Sequence, residues 1–115
     1  MDISFDVSPV KGVKVITILG KKVNYENLNE MEEEIFREVE GEERNFILDL
    51  SQVVQIDSFA LGFIMNLYRR VMEKGGILVL VSAHPRVRAV LGMARVDEVI
   101  KVYETKKEAL DGLSK

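Results

Sequence analysis

The sequence predicts an α/β domain with one mixed, mostly parallel sheet of four to five strands and four to five helices, in the order ββαβαβαβα. Three observations predict it. Strand-like and helix-like hydrophobic periods alternate along the chain. Two short runs, residues 46–50 and Ile77–Val81, are almost continuously apolar, as strands covered on both faces must be. The 115 residues hold no internal repeat, low-complexity tract or linker, so residues 1–115 read as one domain.

The elements follow in order. Val13–Leu19 begins with strand alternation and is preceded by a shorter strand at residues 3–7. Ser8-Pro9-Val10-Lys11-Gly12 between them has hairpin length and turn residues, so the pair should run antiparallel. Leu28, Met31, Ile35 and Val39 then recur at spacings of three and four, the apolar face of a helix capped by Asn24 and stopped by Gly41. The buried strand 46–50 leads to a second amphipathic helix carrying Leu61, Ile64, Leu67, Tyr68 and Val71, closed by Gly75-Gly76. After Ile77–Val81, Pro85 fits the first turn of a helix carrying Val87, Val90 and Leu91. Residues 99–103 read as an edge strand, since Lys101 interrupts them. Thr105 with Glu108 three residues on forms a capping box that opens the last helix, through Leu110 and Leu113.

Composition narrows the function. With no Cys, the chain has no disulfide, thiolate metal site or cysteine nucleophile. His84 is its one imidazole. A net charge of −3 disfavours a binder of nucleic-acid phosphate. No apolar run is long enough to span a bilayer, and MDISFDV is no leader, so the expected location is cytoplasmic, with no membrane insertion. Charge is uneven: nine of the nineteen acids lie between Glu26 and Glu43, whereas nine bases face four acids between Arg69 and Lys107. Such runs are ordinarily solvated faces; the functional reading is a dipolar surface that orients a charged partner.

The most informative stretch is Asp49-Leu50-Ser51-Gln52-Val53-Val54-Gln55-Ile56-Asp57-Ser58-Phe59-Ala60-Leu61-Gly62. A buried strand passes through a polar loop into Asp57-Ser58 and then directly into a helix. Ser58 stands where an N-cap should be, its hydroxyl placed to accept from the amide of Ala60 or Leu61. In parallel α/β sheets, ligands and partners meet the chain at such carboxyl ends of strands.

The pattern Asp-Leu-Ser-x-Val-x-x-Ile-Asp-Ser-x-x-Leu-Gly resembles the signature of the anti-sigma factor antagonists, the STAS-domain proteins. The strand ending in Leu19-Gly20, the turn Lys74-Gly75-Gly76, and His84-Pro85-x-Val87-x-x-x-Leu91 followed by Val99-Ile100 also sit at the family's spacing. The resemblance implies a single STAS-like domain that is a binding switch and not an enzyme, without cofactor or metal. Its partners would be an anti-sigma factor that is also a serine kinase, and a phosphatase; nucleic acid is not contacted directly, and oligomeric state is left open. Ser58 matches the family's phosphoacceptor and Asp57 the acid before it, with Asp57, Ser58, Phe59, Ala60 and Asn24 on the partner surface. The family serves transcription regulation and stress responses.

This chain departs from the family at Phe59-Ala60, where a small pair such as Ser-Gly is usual, at Lys21-Lys22-Val23-Asn24, and at Arg95-Val96 in place of Gly-Leu. Simpler readings stand beside these. Ser58 alone could be a structural cap worth about 1 kcal/mol, and Asp57 could merely satisfy loop amides. Ser51 offers a second modification site, though such a serine more often simply closes a turn, and His84 before Pro85 suits a cap. A serine esterase would need a G-x-S-x-G elbow that is missing, and Asp49 with Asp57 would make a poor cation site. The reading from another class is a STAS-type accessory module that binds a small molecule, a lipid or a transporter subunit without phosphorylation.

Overall fold

The computed structural model describes residues 3–114. Seven strands and five α-helices occur in the order β1 (Ser4–Val10), β2 (Val13–Leu19), β3 (Lys22–Val23), α1 (Tyr25–Leu28), α2 (Glu32–Glu38), β4 (Asn45–Asp49), β5 (Gln55–Ile56), α3 (Ser58–Glu73), β6 (Ile77–Val81), α4 (Pro85–Met93), β7 (Val102–Tyr103) and α5 (Lys106–Leu113). The main sheet has the order β1-β2-β4-β6-β7. Only β1 runs antiparallel to its neighbour; β2, β4, β6 and β7 are mutually parallel. The expected mixed, mostly parallel α/β sheet is therefore observed.

Strand alternation divides the core into two layers. Ile16, Ile18, Phe46, Leu48, Leu78 and Leu80 face one way and meet the apolar sides of α1 to α4. Val13, Val15, Ile47, Val79 and Val81 face the other way, against Ala109, Leu110 and Leu113 of α5. In α3 the residues Ala60, Phe63, Ile64, Leu67 and Val71 are buried, one stripe at helical spacing. The end of α3 is a Schellman motif: the Gly76 amide donates to Val71 and that of Gly75 to Met72, with Gly75 at φ +77°. Gly76 cannot be replaced cheaply, because a Cβ there would strike the Arg44 carbonyl.

Four sequence expectations are corrected. The first hairpin turns tightly at Lys11-Gly12, both at positive φ, and Ser8, Pro9 and Val10 belong to β1. Pro9, expected in the loop, lies in β1 because that strand is at the sheet edge, where a missing N–H can be tolerated. The single helix expected from Asn24 to Gly41 is two, α1 and α2, broken over residues 29–31. Leu28, Met31, Ile35 and Val39 are all buried even so, since the Met31 and Ile35 amides still bond back to Leu28 and Met31. The last strand is only Val102–Tyr103, because Val96–Glu98 forms a 3-10 turn and the Ile100 amide bonds back to the Val96 carbonyl. The short strands β3 and β5 were not expected at all; they pair in parallel as a separate two-stranded sheet.

Candidate functional site

Two loops leave the carboxyl ends of parallel strands and meet. One follows β2 through Gly20 and Lys21 into β3; the other follows β4 into β5. The β3–β5 ladder joins them, with Lys22 opposite Gln55 and Val23 opposite Ile56. The Val54 and Gln55 amides both donate to the Lys21 carbonyl, and the Asp57 amide donates to that of Val23. Buried Val23 and Ile56 peg this small ladder into the core, and α4 packs beside β5. The two helix starts that follow, Asn24-Tyr25 and Asp57-Ser58, are therefore set side by side.

Each start is capped. Asn24 and Asn27 form a reciprocal capping box at α1: the Asn27 amide donates to Asn24 Oδ1 at 3.1 Å and the Asn24 amide to Asn27 Oδ1 at 3.0 Å. Asn27 Nδ2 also donates to the Lys22 carbonyl, 2.7 Å away. At α3 the cap is Asp57, not Ser58 as the sequence suggested. Asp57 is extended, and its Oδ1 accepts from the Ala60 amide at 2.9 Å. Its other oxygen, Oδ2, accepts from the Tyr25 amide at 3.2 Å. One carboxylate thus ends α3 and ties α1 to it.

Ser58 becomes the first helical residue, and it is exposed. Relieved of capping, its hydroxyl stands at the positive end of a 16-residue helix. Phe59 is partly buried, and the Tyr25 ring meets it edge-on, centroids 5.0 Å apart and planes at 86°. Ala60 was expected on the partner surface; it is 1% exposed and packs into the core, so its part is the amide that Asp57 caps. Asn24 is half-buried and shapes the rim through its box.

Tyr25 was missed by sequence reasoning. It is 57% exposed, unusual for an aromatic, yet nothing in its local spacing marks it. An open groove of about 940 Å³ runs beside α1, lined by Ile3, Lys21, Lys22, Asn24, Glu26 and Glu30. Among the described residues neither Lys21 nor Lys22 enters an ion pair. Elsewhere the polar candidates have structural tasks. Asp49 is buried; its Oδ1 accepts from the Ser51 amide at 2.9 Å, closing the turn after β4. His84 caps α4, its Nδ1 accepting from the Arg86 amide at 3.2 Å. Among the described residues no three His, Cys, Asp or Glu gather as metal ligands would, and no helix is long and apolar enough to cross a membrane.

What this arrangement can do is present a hydroxyl and an aromatic pair where α1 and α3 begin, with two lysines lining the groove beside α1. The STAS domain family profile matches residues 4–109. A Thermotoga neapolitana protein, provisionally named an anti-sigma factor antagonist homolog, is 39% identical over 106 residues, covering 90% of this chain and 94% of its own. The crystal structure of a Thermotoga maritima protein, again provisionally named an anti-sigma factor antagonist, superposes with TM-score 0.88 at 31% identity, over 96% of this chain and 95% of that one. The Bacillus cell fate determinant SpoIIAA in its phosphorylated form shares the fold, with TM-score 0.71 at 18% identity over 96% of this chain and 99% of its own. By profile, sequence and fold alike, this chain belongs to the STAS domain family, among relatives named as anti-sigma factor antagonists.

Proposed function

We propose that the chain is a cytoplasmic anti-sigma factor antagonist that works as a phosphorylation-controlled binding switch. Unmodified, it binds an anti-sigma factor that is also a serine kinase and thereby frees a sigma factor. A phosphate on Ser58 ends that binding, and a phosphatase restores it. The chain carries out no catalysis in this scheme; the chemistry is performed on it.

The observation that carries the reading is the division of labour at Asp57-Ser58. Asp57 does the capping, so Ser58 is exposed and free at the helix start. A phosphate there adds about −1.5 to −2 charges and strong acceptor oxygens. The amide ends and dipole of α3 favour an anion at that point, so the fold tolerates the charge. A partner pressed against the rim does not, because it must desolvate the phosphate or find cations for it. Binding is switched without unfolding the domain. Support also comes from the names of the relatives and from SpoIIAA, whose structures are of an unphosphorylated and a phosphorylated form.

Incubation with a kinase-type anti-sigma factor and ATP, followed by mass spectrometry, tests it. The expected result is one phosphate, on Ser58, absent from Ser58→Ala. Phosphate elsewhere, or undiminished partner binding by Ser58→Asp, would overturn the switch. Recovery of a transporter subunit in place of a kinase would favour the accessory-module reading.

A further inference from the structure

Resting on the reading of Ser58 as phosphoacceptor, we propose that Asp57 is a positioning residue that couples the state of Ser58 to the Tyr25–Phe59 aromatic surface. Phosphorylation would then change the shape of the rim as well as its charge.

The geometry behind this is a bracket. Ser58 lies between two residues that both hold Tyr25. Asp57 Oδ2 accepts from the Tyr25 backbone amide, and the Phe59 ring receives the edge contact of the Tyr25 ring. Tyr25 is otherwise largely in solvent. The remaining anchors of α1 do not involve α3 polar groups: Leu28 is buried in the core, and the Asn24–Asn27 box is internal to the helix. The Asp57 carboxylate is a side-chain link between the two helix starts, beside the backbone bond from the Asp57 amide to the Val23 carbonyl.

Phosphate on the adjacent Ser58 acts on that link through its charge, which repels the neighbouring carboxylate. Its oxygens are meanwhile held near the unpaired first amides of α3, the natural partners of any anion at that end. Of the two Asp57 bonds, the one to Ala60 is shorter and lies within the helix start. The one to Tyr25 is longer, exposed and spans 32 residues. It is the bond that gives. Released at its amide, Tyr25 no longer holds its ring against Phe59, and a partner seated on that pair loses a shaped contact.

Amide hydrogen exchange on the ¹⁵N-labelled full chain tests this, with phosphoserine installed at position 58 during translation so that no kinase is needed. Protection of the Tyr25 amide should fall by about tenfold on phosphorylation, while Asn27, held by Asn24, stays within about twofold. Asp57→Asn sharpens the test, because its side chain has a single acceptor oxygen and can keep only the Ala60 cap. This variant should show the same loss at Tyr25 without phosphate and no further loss with it. Unchanged Tyr25 protection on phosphorylation would overturn the proposal. So would an undiminished phosphate effect in Asp57→Asn, which would show that Asp57 does not carry the coupling. Comparing unmodified with phosphorylated chains requires no substitution, so a poorly folded variant cannot mask the answer. Should no kinase ever modify Ser58, the switch reading fails while this measurement still reports on the Asp57 link.

Discussion

Two helix starts in this molecule use the same chemistry to different ends. At α5, Thr105 Oγ1 accepts from the Glu108 amide at 3.1 Å, and Glu108 Oε1 returns to the Thr105 amide at 3.2 Å. Every group involved lies within a few residues of the others, and the box serves the helix alone. At α3, Asp57 also accepts from an amide three residues on, but its second oxygen reaches back to Tyr25 in another helix. A local cap stabilises its helix; a cap with a tertiary bond also positions a surface. The candidate switch serine sits beside the second kind.

Substitutions can break or sharpen that contrast. The largest effect is expected from Leu28→Ala, which removes the fully buried anchor of α1 and leaves a cavity. A loss of about 3 kcal/mol, read by urea unfolding, would be ordinary for such a site. It should also loosen Tyr25, since α1 must be docked for Asp57 to reach it. Asp57→Ala removes an N-cap and a tertiary hydrogen bond together, so a loss of about 2 kcal/mol is expected. Thr105→Ala should cost about 1 kcal/mol, as a purely local cap does, and leave Tyr25 exchange untouched. If Asp57→Ala costs no more than Thr105→Ala, the tertiary bond contributes nothing and the contrast collapses. Ser58→Ala should change stability by less than about 0.5 kcal/mol, because the exposed hydroxyl does no capping. A larger loss in thermal or urea unfolding would return Ser58 to the role of structural cap.

The contrast also explains what could be read from the sequence. The α5 box was legible because Thr105 and Glu108 carry their whole mechanism in four consecutive residues. The core was legible for a similar reason: Leu28, Met31, Ile35 and Val39 keep their spacing although residues 29–31 interrupt the helix. The helix start at Asp57-Ser58 is legible, but the sequence points to the wrong residue of the two as its cap. Both residues are good caps, and only the extended backbone at Asp57 decides which of them precedes the helix. Tyr25 was invisible, because its importance rests on a partner 32 residues away. The β3–β5 ladder was invisible too, since two-residue strands have no period to detect. Ala60 looks like a surface residue by its nearness to Ser58, yet two steps of about 100° each around the helix turn a side chain from rim to core. Features that depend on contacts between distant segments need the fold, and here these include much of the site.

The central claim is that phosphate on Ser58 abolishes binding through the rim without unfolding the chain. The direct measurement is calorimetric affinity for a kinase-type anti-sigma factor, comparing the unmodified chain with one carrying phosphoserine at position 58, each checked by its unfolding curve. The account predicts a fall of at least about a hundredfold, the scale of one buried uncompensated charge, with the unfolding midpoint nearly unchanged. Equal affinities, or a loss of binding that accompanies unfolding, would contradict it.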